Sequence, residues 1–362
     1  MYINVFKCMK INTFQEILQK KSIDFALFYN SDSRVNANLQ YFCGYKGIGA
    51  LVVPKNKPSF LLAPEMELQR AKKSFKNTYS MNKKKFFESV SEKLKEKGIK
   101  SKNIAIDKNN FTLNSYRAFK KQFKKAKTQD IGLKCIRLRE IKTNEEIQLL
   151  KKSCQYADKI LQKTIKNFNS FKTESEVAAF LEYETKKIGL ELSFPPIVAS
   201  GSNGSMPHYE PSNIKIKKGF CVIDFGVKYK GYCSDITRTI YVGKPSQKER
   251  ETYNLLLKIQ KETILLAQKN KKCSELYDYT VQSLGKYKNY FTHGLGHGVG
   301  VEIHEMPNLT LMSKDKIQNN MVFTIEPGVY FPKRFGIRIE DTVLFKNKSI
   351  PLTTTSKDLL II

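Results

Sequence analysis

The segment FCVIDFGVKYKGYCSDITRTIYVG, residues 220–243, constrains this chain more than any other. Two runs rich in Val, Ile, Phe and Tyr flank KYKG, the pattern of a strand, a tight turn and a second strand. Each run carries one aspartate among apolar neighbours. A turn centred on Tyr229–Lys230 sets Asp224 directly opposite Asp235, with Cβ atoms ~5 Å apart on one face. Two carboxylates so close repel each other unless a cation lies between them. Two solvated surface aspartates are the competing reading of this hairpin taken alone.

A second hairpin appears in MVFTIEPGVYFPKRFGIRIEDTVLF, residues 321–345. A loop centred on Lys333 brings Glu326 opposite Glu340. Pro327 has no N–H to give and breaks the ladder beside Glu326. Two separate hairpins thus each deliver a carboxylate pair.

The chain holds only 4 histidines, and three of them, His293, His297 and His304, fall in HGLGHGVGVEIHE. Its glycines argue against a helix. In extended chain His293 and His297 face the same side, and glycine lets backbone approach a crowded centre. Four carboxylates and one imidazole suffice for two divalent ions that share ligands, with the neutral nitrogen and anionic oxygens both suited to the task. The fourth histidine, His208, sits in SGSNGSMPHYEPSN, a turn-forming loop expected at a rim.

The rest of the chain frames this centre. At 362 residues it is long enough for about two domains. We place the boundary between residues 1–135 and 136–362. The first part alternates strand and helix: a helix near Thr13–Lys21, a strand in DFALFYN, a hairpin formed by GIGALVVP and PSFLLAP, helices near Glu65–Ser74, Lys85–Lys97 and Leu113–Phe123, and a short strand IAID. It contains no histidine. In the second part, Thr143 with Glu146, Thr173 with Glu176 and Ser246 with Glu249 each have capping-box spacing and open helices. These run to about Asn167, to Gly189 and toward Asn270.

Composition narrows the setting. The formal net charge of +29 comes mostly from lysines spread along helices and turns, not from one block. We read it as a solvated surface, with no specific nucleic-acid partner. The 7 cysteines are scattered without a CxxC pair, which fits reduced thiols. Cys233, two before Asp235, is read as a packed thiol. No stretch reaches the ~18 apolar residues of a membrane span, and the opening residues lack a signal-peptide pattern, so a cytoplasmic protein with no membrane partner is expected.

Taken in order, DFG…SDITRT, HGLGHGVGVEIHE, TIEPGVY and GIRIED resemble the pita-bread metallopeptidases, within them the Xaa-Pro aminopeptidase and proline dipeptidase (prolidase) branch. The resemblance covers about residues 145–362, and the N-terminal part fits more weakly the smaller creatinase-like domain of that branch. It implies an α/β (α+β) chain in which a creatinase-like domain precedes a pita-bread catalytic domain. It makes Asp224, Asp235, His297, Glu326 and Glu340 the ligands of two divalent ions. Asp235 and Glu340 would bridge, His297 and Glu326 would complete one ion, and Asp224 the other. His293, His304 and His208 become substrate-side residues, Glu326 the proton shuttle, His304 a donor to the developing oxyanion, and Arg338 a buttress two residues before Glu340. The mostly oxygen ligand set favours Mn²⁺, with Co²⁺, Zn²⁺ or Fe²⁺ as alternatives. The expected activity is removal of an N-terminal residue from peptides with proline at the second position, an Xaa-Pro aminopeptidase. A prolidase confined to dipeptides is the alternative, and a homodimer is implied. A methionine aminopeptidase is disfavoured by the extra N-terminal residues. A basic nucleic-acid-binding or scaffold protein retaining the fold would have lost ligands, and here all five are present.

Overall fold

The computed structural model describes residues 2–32, 34–82 and 84–362, with side chains from residue 10 onward. The chain divides into two compact units, Met1–Arg137 and Leu138–Ile362.

In the first unit the order is α1 (Tyr2–Lys20), β1 (Phe25–Asn30), α2 (Ala37–Cys43), β2 (Gly49–Pro54), β3 (Phe60–Ala63), α3 (Leu68–Ser74), β4 (Thr78–Ser80), α4 (Phe86–Glu96), β5 (Asn103–Ile106), α5 (Leu113–Gln122) and β6 (Lys127–Asp130). These strands form one mixed sheet in the order β4-β3-β2-β1-β5-β6. Strands β1, β2 and β3 are buried along their whole length, which is why FALFYN, GALVVP and FLLA read as continuous apolar runs without alternation. Helix α2 went unforeseen, although Asn36 caps it and Gly44, at φ 73°, ends it. Strand β6, KTQD, is a polar edge with no apolar pattern to announce it.

After α6 (Gly132–Glu140), the second unit contains α7 (Asn144–Lys166), α8 (Glu174–Lys187), β7 (Glu191–Leu192), β8 (Ile197–Ser200), β9 (Gly219–Phe225), β10 (Val227–Tyr229), β11 (Tyr232–Cys233), β12 (Ile236–Val242), α9 (Gln247–Leu266), α10 (Cys273–Leu284), β13 (Gly296–Gly298), β14 (Glu305–Leu309), β15 (Met321–Ile325), β16 (Gly328–Phe331), β17 (Phe335–Arg338), β18 (Asp341–Lys346) and β19 (Lys348–Pro351). Two antiparallel sheets matter for function, β12-β9-β8 and β14-β13-β15-β18-β19, together with the hairpin β16–β17. Helices α7 and α9 open with the reciprocal capping boxes of Thr143–Glu146 and Ser246–Glu249. At α8 only half of the motif forms: Thr173 accepts from the Glu176 amide, but the Glu176 carboxylate takes the N–H of Lys172 instead. Apolar side chains of α7 and α8 pack behind β8, β9 and β12, and those of α9 and α10 pack behind β15 and β18.

The two hairpins differ in how well their register was foreseen. In the first, Thr237, not Asp235, faces Asp224. The turn falls one residue later than expected, because Lys230 (φ 47°) and Gly231 (φ 90°) both adopt the left-handed conformation of a two-residue turn. Asp235 stands two residues before Thr237, so it keeps the face of Asp224 but lies diagonally from it. In the second, the register is the expected one. Ile325 pairs with Asp341 and Gly328 with Arg338, leaving Glu326 and Glu340 facing each other in the gap between two ladders. The break falls at Pro327. The six cysteines with described side chains, Cys233 among them, are buried, and Cys8 lies outside the described side chains. Among the described residues no helix is long and apolar enough to cross a membrane.

Candidate metal centre

The two hairpins and β13 converge on a cleft of about 420 Å³ in the second unit. Asp224, Asp235, His297, Glu326 and Glu340 all line it, as do His208, His293, His304 and Arg338. One ligand atom each from Asp235, His297 and Glu340 lies within 4.8 Å of the others.

Hydrogen bonds fix the carboxylates of Glu340, Glu326 and Asp224, and the backbone of Asp235. Thr237 Oγ1 donates to Glu340 Oε2 at 2.7 Å, and Thr324 Oγ1 donates to Glu326 Oε1 at 3.0 Å. The backbone carbonyl of Asp235 accepts from Thr342 Oγ1 at 2.7 Å. Arg338 Nη2 donates to Asp224 Oδ2 at 2.6 Å, while Asp224 Oδ1 is buried without a partner. Arg338 is itself buried, and its Nη1 donates to the hydroxyl of Tyr330 at 2.7 Å.

The electrostatics call for cations. Burial, then the neighbouring charge of Glu340, pushes the Asp235 carboxyl well above the ordinary range; burial, then Glu326, does the same to Glu340. Burial also lifts Glu326 to about 8, with Asp224 reinforcing the rise and Arg338 opposing it. Burial holds His297 down at about 4, so its ring is neutral at physiological pH. Its contacts with Asp235 Oδ2 at 3.5 Å and Glu326 Oε1 at 3.4 Å are therefore not ion pairs. The ring Nδ1 lies 3.1 Å from the carbonyl of Gly298 and so carries the proton. The Nε2 lone pair then faces two carboxylate oxygens. A neutral imidazole nitrogen among buried carboxyls that ionise only at a cost, together with the orphaned Asp224 oxygen, fits divalent cations.

Residues 148–347 match the family model described as metallopeptidase family M24, and residues 10–141 match the creatinase/prolidase N-terminal domain. The chain belongs to metallopeptidase family M24. It is 38% identical over 334 residues to a Xaa-Pro dipeptidase of Pyrococcus furiosus, an alignment covering 89% of this chain and 92% of that protein. Among solved structures it is similar to the prolidase from Pyrococcus horikoshii OT3, with a TM-score of 0.88, 32% identity, and 97% and 100% of the two chains covered. The X-Pro aminopeptidase from Thermotoga maritima MSB8 superposes with a TM-score of 0.87 at 29% identity, covering 94% of this chain and 98% of the other. The resemblance read in the sequence, the fold class and the hydrolase activity all stand.

Other groups in this M24 cleft were not foreseen. Tyr330 sits between Arg338 and His293, its hydroxyl 2.9 Å from His293 Nε2. His293 Nδ1 is 2.7 Å from the carbonyl of Gly294, so it holds the proton, and Tyr330 donates to Nε2. Both ring nitrogens are thus engaged within the protein. Thr237 and Thr324 each stand two residues from a proposed ligand, on the same strand face, so period-two counting would have found them. The loop carrying His208 is anchored by buried Glu174, whose Oε1 accepts from the Ser200 amide at 2.7 Å and from Asn203 Nδ2 at 2.9 Å. No sequence signal joined Glu174 to this loop.

Proposed function

We propose that this chain is a proline dipeptidase that holds two divalent ions, taken as Mn²⁺, and hydrolyses the Xaa-Pro bond of dipeptides. Reading the sequence alone placed the Xaa-Pro aminopeptidase first. The near full-length similarity to a protein named Xaa-Pro dipeptidase moves the preference to the dipeptide. The single observation that carries the peptidase reading is the set of five ligand-type side chains lining one cleft, with a neutral imidazole nitrogen turned toward carboxylates.

In this reading Asp224, Asp235, His297, Glu326 and Glu340 hold the ions. When bound, the ions polarise the scissile carbonyl and make a water acidic enough to attack near neutral pH. The protein supplies the rest. Thr324 orients Glu326 through Oε1, which leaves Oε2 to take a proton and pass it to the leaving amine. His304, packed against the His297 ring, donates to the oxygen on which negative charge develops. Arg338 fixes Asp224, and Tyr330 fixes His293 until substrate arrives. Phe194, Ile197, Pro207 and Ile303 form an apolar wall that excludes water and accepts a pyrrolidine ring. A homodimer accompanies the reading on the resemblance alone, and a cytoplasmic setting on the sequence pattern alone.

The test compares Ala-Pro with Ala-Pro-Ala after chelation and reloading with Mn²⁺. We expect kcat/KM for Ala-Pro to exceed that for the tripeptide by about tenfold or more. The reverse preference would establish the aminopeptidase instead. Hydrolysis of neither peptide by the loaded protein would end the peptidase reading.

A further inference from the structure

The segment 299–305 carries His304 and Ile303 into the cleft, yet it forms no regular ladder beyond the single pair Gly298–Glu305 at its base. Backbone bonds hold its start, with the Val299 amide donating to the Val322 carbonyl at 3.0 Å and the Cys233 amide to the Gly300 carbonyl at 2.8 Å, and the rest of its shape is set by the carboxylate of Glu305, buried under the segment. Glu305 Oε1 accepts from the amides of Val301 at 3.0 Å and Glu302 at 3.2 Å. Glu305 Oε2 accepts from Lys142 Nζ at 2.8 Å. Lys142 is almost fully buried and donates also to the carbonyl of Arg139 at 2.6 Å. Arg139 reaches Glu305 Oε1 at 3.5 Å and Glu302 Oε2 at 2.5 Å. The backbone of Gly300 passes so near that any Cβ there would run into this carboxylate. A chain of 63 Lys and Arg residues keeps nearly all of them wet, so burying two against one carboxylate is costly and singles out the spot.

One consequence reaches the cleft. The His304 ring packs on the His297 ring, with centroids 4.3 Å apart and planes at 71°. Among the described residues no side chain hydrogen-bonds the His304 ring, so its place depends on that ring contact and on the backbone on either side. Glu305 follows it directly and ties down the amides of Val301 and Glu302 just before it.

We propose that Glu305, anchored by Lys142 and Arg139, is a positioning residue for His304. Through the backbone of residues 300–305 it sets the distance at which that imidazole meets the reacting carbonyl. The proposal rests on the peptidase reading above and deepens it. It predicts that loss of the Glu305 charge acts on the turnover step through His304 rather than on metal loading.

The experiment is a double-mutant cycle of Glu305→Gln and His304→Ala, in the full chain reloaded with Mn²⁺, on whichever Xaa-Pro peptide the parent hydrolyses. Glu305→Gln should lower kcat about tenfold or more with KM changed less than about twofold. In the His304→Ala background the same substitution should change kcat by less than about twofold. Equal factors in both backgrounds, or an unchanged kcat in the first, would overturn the proposal. If Glu305→Gln does not fold, Lys142→Met/Glu305→Gln, which leaves no unpaired buried charge, is measured by the same criterion. A second readout needs no turnover: ¹H–¹⁵N correlations of the histidine rings should shift for His304 in Glu305→Gln and stay in place for His293. A His304 signal that does not move overturns the proposal as well. A parent that hydrolyses no peptide refutes the peptidase reading, while the ring signals still decide the role of Glu305.

Discussion

Replacing Asp235 by Asn should stabilise the metal-free protein and abolish its response to metal, two effects of opposite sign. The structure sets the scale. Asp235 and Glu340 place carboxylate oxygens within 4.8 Å of each other, and Asp235 is also pushed by Asp224 and Glu326. Two full charges at that distance repel by roughly 3 kcal/mol at an effective dielectric constant of about 20. The metal-free cluster escapes part of this by retaining protons, since burial and mutual repulsion drive these carboxyls upward. A gain of about 1–2 kcal/mol therefore remains to be released, and at about 2–4 °C per kcal/mol Tm should rise by a few degrees. The neighbours of the new amide are carboxylate acceptors, so it is not left unpaired. In the parent, an ion at a hundred times its Kd should add about 2.7 kcal/mol, and the variant should lose most of that increment. Calorimetry at pH 7.5, with chelator and then with excess Mn²⁺, reads both effects. A metal-free variant that melts below the parent, or one that keeps the whole Mn²⁺-induced rise, would refute the idea that these carboxylates are gathered for a cation.

Two further outcomes can be checked. Arg338→Lys removes the fork that joins Asp224, Tyr330 and Thr237, and a single ammonium cannot replace it, so kcat/KM should fall about a hundredfold; steady-state kinetics showing less than a threefold loss would exclude the buttressing role. Burial by itself would raise the Glu305 carboxyl, but Lys142 and then Arg139 outweigh it and hold the group below its ordinary value. A depressed carboxyl contributes stability that is full above the unfolded-state value near 4.3 and is lost as pH falls through the folded value. The gap in urea midpoint between the parent and Glu305→Gln should therefore narrow steadily below about pH 4, and a gap independent of pH would contradict this.

What could be read in advance follows from how local each signal is. The helix starts at Thr143 and Ser246 need only side chains three residues apart, and both formed as expected. The hairpin around Lys333 was legible because its loop and its apolar alternation agree on one register. The hairpin around Lys230 was placed one residue off because the turn falls at Lys230–Gly231, and a lysine in the left-handed region is not an obvious choice. The direct pairing of Asp224 with Asp235 was lost with it, but the shift preserved strand faces, so the two carboxylates still share one. Glu174, Lys142 and Glu305 escaped notice for a different reason. They act through contacts up to 163 residues apart in the chain, and a lone Lys or Glu in a lysine-rich sequence looks like solvated surface. Burial, which alone distinguishes them, is a property of the assembled fold.

The exposed tip Pro332–Arg334 touches no reacting group, yet it joins the strands whose shared register sets Glu326 across from Glu340. Lengthening the tip by a single residue would slide one edge of the ribbon past the other and turn Glu340 outward, bringing Asp341 inward. Asp341 is already committed to Arg238 and Lys357 and could not take over. A stretch that looks free to vary thus works as a gauge for the spacing of the proposed cations, and insertions there should be rejected as firmly as changes to the proposed ligands themselves.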